Sequence, residues 1–178
     1  MRTAEEIERT KCELVTALFK LMKKKDYQSV TMSEIAQKAG YGRATLYRHF
    51  QSKEDIIEFY FEKNSDFFQS VKDTEIKSRD DFYEIIFRVF STLKENKEIV
   101  KLLISAHLEF MYLEFMNNSM VANFGKNGYK ASQYSPYYFM GSLFNVSIQW
   151  VKDDCAESVK QMADFYYEHL FVPNESFI

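Results

Sequence analysis

The chain has little of what marks most other architectures. Only two Pro and five Gly punctuate its 178 residues, which excludes a turn-rich β fold and favours long, uninterrupted helices. Its two cysteines, Cys12 and Cys155, belong to no motif. A disulfide framework is therefore not expected, and a reducing cytoplasm is. The three histidines, His49, His107 and His169, form no Glu-x-x-His pair of the kind that builds di-iron bundles. Two separated cysteines cannot complete a structural zinc site with them. P-loop and G-x-S-x-G patterns are missing as well. Neither catalysis, a metal nor a cofactor is expected. The opening MRTAEEIERTK has no apolar segment of the secretory kind, and no apolar run reaches about 18 residues. A cytoplasmic chain without a membrane anchor is expected.

What is present is a globular composition, 46% hydrophobic and 28% charged. Aromatic residues reach 17%, with 17 Phe and 12 Tyr. That much bulky apolar area exceeds the needs of a small monomer and suggests a ligand cavity, an oligomer interface or both. The net charge of −3 is unevenly spread. From Lys20 to Lys53, eight basic residues (Lys20, Lys23, Lys24, Lys25, Lys38, Arg43, Arg48, Lys53) face only Asp26 and Glu34, a local charge of +6 that leaves −9 elsewhere. A cationic head on an acidic body fits a nucleic-acid module joined to a sensing or pairing module.

Apolar residues recur at helical spacing along most of the chain, so the fold expected is all-α, with about nine helices. In the first helix the stripe is Ile7, Leu14, Val15, Leu18 and Met22, and Lys23 to Lys25 read as its solvated cationic end. Thr31 and Glu34 form a capping box that opens a short helix with Ile35, Ala36 and Ala39 inward. Gly40 ends that helix by supplying a left-handed backbone. A second short helix runs from about Arg43 to Phe50. Ser52 opens another, whose stripe of Ile56, Ile57, Tyr60, Phe61, Asn64 and Phe68 extends it to about Lys72. Further helices are expected near 80–95, 97–123 (one or two), 135–152 and 156–171, with an irregular loop from Asn123 to Ser135. The domains expected are a helix-turn-helix unit at 1–52 with a connecting helix at 53–72, and a second domain at 73–178.

The segment Thr31 to Lys53, TMSEIAQKAGYGRATLYRHFQSK, has the layout in which a second short helix enters the major groove. Leu46 and Phe50 anchor that helix on the core. Arg43 and Tyr47, four apart, and Thr45 and Arg48 beside them, then face outward. Arg43 is the candidate base reader, because a guanidinium can bond guanine O6 and N7 together. Thr45, Tyr47, His49 and Lys53 suit phosphate contacts. Thr31 can add a backbone-amide phosphate contact at the preceding helix start.

The run T-x-S-E-I-A-x-x-A-G-x-x-R-x-T-L-Y-R-H-F-x-S-K-E-D-I resembles the DNA-binding domain of TetR-type bacterial regulators, and the resemblance extends over residues 5 to 70. It implies that Tyr47 and Lys53 hold phosphates and that His49 lies at the DNA-facing end of the recognition helix. Gly42 departs from the Ser or Thr that often caps that helix, and glycine is a weaker cap. Tyr41 replaces a smaller aliphatic residue and could alter which bases are reached.

Phe139 to Leu170 resembles the last two helices of many such regulators, which pair with those of a partner subunit in a four-helix bundle. Gly141, Asn145 and Ile148 would form one dimer face, and Met162, Phe165, Tyr166 and His169 the matching one. The resemblance implies a homodimer on a palindromic operator, released as a repressor by a small effector. Phe87, Phe90, His107, Met111, Phe115 and Tyr138 are the candidate pocket residues. The rival expectation is a helical protein of the same fold controlled by a protein partner.

Overall fold

The computed structural model describes residues 3–64, 78–124 and 134–170. Among the described residues there are nine α-helices and no strand. These are α1 (Ala4–Met22), α2 (Met32–Ala39), α3 (Arg43–His49), α4 (Lys53–Lys63), α5 (Arg79–Glu95), α6 (Lys97–Ser105), α7 (Glu109–Phe124), α8 (Ser135–Lys152) and α9 (Val159–Leu170). A 3-10 turn at Tyr27–Ser29 joins α1 to α2. No helix among the described residues is long and apolar enough to cross a membrane.

The helices gather into two compact units. One contains 3–64 together with 102–115, and the other contains 78–101 together with 116–170. The segment 102–115, placed by sequence in the second domain, thus packs with the N-terminal helices. The reason lies in α4, which buries side chains on two sides. Phe59 meets Phe50 with ring centroids 5.6 Å apart, while Phe61 meets Tyr112 at 5.1 Å and Phe115 at 6.0 Å. The single stripe expected for α4 included Phe61 but not Phe59, so burial on a second side of the helix was not foreseen. Helix α4 ends at Lys63 with Asn64 as its C-cap, and the expected continuation to Lys72, Phe68 included, lies outside the described residues.

In the first unit α1 packs on α2 and α4, and α2 on α3. The buried face of α1 comprises Thr10, Leu14, Val15, Ala17, Leu18, Phe19 and Met22. Ile7, expected in that stripe, is 37% exposed, so the core contact begins one turn later. In the second unit α5 packs on α9 and α8 around Phe90, which is fully buried. Phe90 meets Trp150 edge-on at 5.2 Å and Tyr166 at 5.7 Å. Polar links fix the α5–α9 register: Tyr83 donates to Asp164 at 3.0 Å, and Arg79 donates to the Tyr167 carbonyl at 3.1 Å.

Helix starts and stops follow local chemistry. Thr3–Glu6, Thr31–Glu34, Ser52–Asp55 and Ser78–Asp81 all form complete capping boxes, each satisfying backbone N–H groups that a helix start leaves unpaired. Three helix ends share one stop. At Gly40, His107 and Asp154 the backbone turns left-handed, with φ of 80°, 56° and 59°. In each case the next residue's N–H returns to the carbonyl five positions back: Tyr41 to Ala36, Leu108 to Leu103 and Cys155 to Trp150, all at 2.9 Å. This is the Schellman closure. It explains why 97–123 is two helices: His107, a residue type enriched in the left-handed region, closes α6. Asp154 is held there by Lys97 and Lys101, whose hydrogen bonds lower its carboxyl to about 2.

These ends can be tested by stability. A left-handed residue with a Cβ costs about 1–2 kcal/mol, so His107→Gly should raise the melting temperature by about 2–4 °C and His107→Val should lower it. Equal melting curves for the three proteins would contradict the assignment. At the start of α2, hydrogen bonds from Lys25 and then Thr31 lower the Glu34 carboxyl from the ordinary 4.5 to about 2. A depressed acid contributes stability that is complete above its unfolded pKa and lost as pH falls through its folded one. Denaturant unfolding of wild type and Glu34→Gln should therefore differ above pH 4.5 and converge as pH falls towards 2. A constant difference across that window would refute the linkage.

Candidate nucleic-acid interface

Helix α3 is seven residues long, two turns, and burial divides it cleanly. Leu46 is fully buried and Phe50, just past its end, is 3% exposed. Helix α3 packs on α2, where Ile35 and Ala36 are themselves 0% and 1% exposed. On the opposite side Arg43 and Arg48 are exposed, Tyr47 is 52% exposed, and Thr45 is half-buried between the faces. The expected outward set is thus presented, and no member of it is consumed by the core. His49 is half-buried at the end of the helix.

Gly42 sits at the N-cap of α3 with extended backbone and supplies no side-chain cap. A Cβ there would meet nothing within 4 Å, so neither space nor backbone conformation requires glycine. Tyr41 is half-buried, and its phenol donates to Glu13 of α1. This tether turns Tyr41 towards α1.

The remaining candidates converge on the 3-10 turn. Thr31 caps α2, and its hydroxyl and backbone N–H both donate to Glu34, at 2.8 and 2.9 Å. Lys25, read from sequence as part of a solvated helix end, is instead half-buried. Its Nζ bonds both Glu34 oxygens at 2.7 and 2.8 Å and the Ser29 carbonyl at 2.8 Å. Lys23 and Lys24 are exposed, as expected. Lys53 Nζ donates to the Tyr27 carbonyl at 2.8 Å. Tyr27 in turn donates its phenol to Glu54 at 2.7 Å; burial, then this bond, pushes that phenol up. Burial opposes the ionisation of Glu54, but the bonds from Tyr27 and its own backbone outweigh it and hold the carboxyl below its ordinary range. Sequence reasoning missed Tyr27, Lys25 and Glu54. The only signal available was an aromatic and two charges flanking the capping boxes.

The candidates in the C-terminal half are more dispersed. Of the dimer-face set, Met162 (8% exposed) and Tyr166 (1%) are buried within the single chain, because Tyr166 fills the space beside Phe90. They offer no area to a partner. Asn145, Phe165 and His169 are exposed, and Gly141 and Ile148 are half-buried. The Phe165 and His169 rings stack at 4.4 Å. Of the pocket set, Phe87, Phe90 and Tyr138 belong to the second unit, and His107, Met111 and Phe115 to the first. Phe90 is core, Met111 and Phe115 are half-buried, and Phe87, Tyr138 and His107 are exposed.

Comparison with known proteins accords with this arrangement. Residues 14–58 match the bacterial regulatory proteins of the tetR family, and residues 80–170 match a transcriptional regulator C-terminal region. An uncharacterised HTH-type transcriptional regulator of Bacillus subtilis (strain 168), YvkB, is 30% identical over 94 residues. That match spans 52% of this chain and half the length of the relative. Lin0861 from Listeria innocua superposes with a TM-score of 0.76 at 15% identity, covering 96% of this chain and 93% of its own. FadR from Bacillus subtilis, solved in complex with stearoyl-CoA, gives 0.59 at 18% identity, covering 89% and 96%. With one match on the helix-turn-helix and another over more than half of its length, this chain is a transcriptional regulator of the TetR family.

Proposed function

We propose that the protein works as a homodimer that binds a palindromic operator through α3 and is released from it, as a repressor, by a small effector. The observation that carries this reading is the division of α3, in which Leu46 and Phe50 are buried while Arg43 and Tyr47 face solvent. Arg43, at the N-terminal end of the helix, is the base reader. Tyr47, Thr45, Arg48, His49 and Lys53 contact the DNA backbone, whereas Thr31, whose hydroxyl and N–H are both held by Glu34, serves by capping the helix start. Gly42 and Tyr41 set how the helix meets the groove.

Replacing Arg43 with Ala should cost about 1–3 kcal/mol on a cognate duplex and little on random DNA. Lys53→Ala should weaken both equally and make the salt slope shallower by about 0.9, the share of one neutralised phosphate. Anisotropy titrations of both variants on both duplexes test this; an equal weakening on the two duplexes for Arg43→Ala would remove it from base reading.

Two recognition helices are needed because one short helix reads too few bases, and a dimer spaces them about 34–36 Å apart. The dimer face rests on Gly141, Asn145, Ile148, Phe165 and His169. Sedimentation should give twice the 21.2 kDa of one chain, and Phe165→Arg should give single chains that bind DNA weakly. A monomeric wild type would contradict the dimer.

The effector reading is supported by the path Phe50–Phe59 on one side of α4 and Phe61–Tyr112–Phe115 on the other. A ligand that prefers a different packing near Met111 and Phe115 would move α4, and with it the end of α3. Its strength would be set by its differential affinity for the two packings. Phe90, Phe87, His107 and Tyr138 are kept as secondary candidates. FadR is bound to stearoyl-CoA in its own structure, which makes a long-chain acyl-CoA a reasonable first compound to assay.

A further inference from the structure

Lys53, the proposed phosphate contact, is not a freely moving side chain. Its Nζ donates to the Tyr27 carbonyl at 2.8 Å and lies 4.3 Å from the centroid of the Tyr27 ring. An ammonium over an aromatic face is attracted by the negative face of the ring. The ring itself is fixed. Tyr27 is 4% exposed, and its phenol donates to Glu54 at 2.7 Å. The turn that carries it is held again at Ser29, whose carbonyl accepts from Lys25.

We infer that Tyr27 is a positioning residue for DNA binding: its ring face and carbonyl hold the Lys53 ammonium extended at the start of α4, ready for a phosphate. This rests on the reading that the protein binds duplex DNA. An ammonium has three N–H donors, and the carbonyl takes one, which leaves two for an outside anion. The lysine stem is ordered before DNA arrives, so little of its rotamer freedom remains to be given up on binding. Glu54, an acid beside the proposed phosphate site, is occupied by the Tyr27 phenol. That bond turns a local source of repulsion into part of the support.

The test uses the full chain and a fluorescent duplex of random sequence, so that phosphate contacts alone are read. Anisotropy titrations between about 50 and 200 mM salt give the affinity and its slope for wild type, K53A, Y27L, Y27F and the Y27L/K53A double variant. The expected result is that Y27L, which removes the ring but leaves the backbone carbonyl, lowers affinity and slope part of the way to K53A, and that the double variant is no weaker than K53A alone. Every Tyr27 variant keeps the backbone carbonyl; Y27F also keeps the ring and should retain most of the affinity. If Y27L leaves the slope unchanged, or the two effects simply add, Tyr27 does not act through Lys53 and the inference is overturned. If wild type fails to bind any duplex, it is the regulator reading that falls. A second measurement covers a Y27L protein that does not fold. The Lys53 ε-methylene protons should show an upfield ring-current shift in wild type and keep it on the duplex. Disappearance of that shift when DNA binds would show that Lys53 leaves Tyr27 to reach the phosphate, and would equally overturn the inference.

Discussion

The interface depends on a constraint in α3: a helix of two turns must be held firmly by one face while the other stays free. Two side chains do the holding. Leu46 is fully buried, and Phe50 is covered by Phe59 of α4, with Lys11 of α1 lying over both rings. Burying a large apolar side chain is worth about 1.5–3 kcal/mol, enough to fix a helix whose intrinsic stability at this length is unfavourable. Because so few residues are needed as anchors, Arg43, Tyr47 and Arg48 remain available. The absence of a side-chain cap at Gly42 is tolerable for the same reason: tertiary contacts, not the N-terminal turn, hold the helix in place.

Phe50 also connects the interface to the rest of its unit. It touches Phe59, and two residues further along α4 Phe61 touches Tyr112 and Phe115 of α7. Helix α4 is therefore a rigid strut with aromatic contacts on two sides, so a change in packing against α7 has a short physical route to the end of the recognition helix. The inclusion of 102–115 in the N-terminal unit has the same origin, since the second aromatic face of α4 needs a cover.

How much of this was legible in the sequence depended on whether the cause was local. Capping boxes at Thr31 and Ser52 and the left-handed stop at Gly40 are written in three or four adjacent residues, and the structure has them as read. The inward Leu46 and outward Arg43 and Tyr47 follow from helical spacing alone. What failed to show was contact between distant segments. Phe59 and Phe61 lie two apart, a spacing that no single stripe accommodates, so the double-sided burial of α4 could not be seen without α7. Met162 and Tyr166 share the spacing of a dimer face, yet Phe90 of α5 turns Tyr166 inward. Lys25 looked like solvated charge because its partner Glu34 is brought to it by the fold, and the support of Lys53 by Tyr27 was hidden for the same reason. The left-handed backbone that makes His107 the stop of α6 was not foreseen either.

In the proposed function a paired, outward-facing cationic helix reads a duplex. Selection of bound sequences from a random double-stranded pool by the wild-type protein measures this most directly. Enrichment of one inverted repeat is expected, with half-sites centred about one helical turn apart, roughly 10 base pairs. A pool that stays random at every salt concentration, or that yields a single unrepeated element, would contradict it.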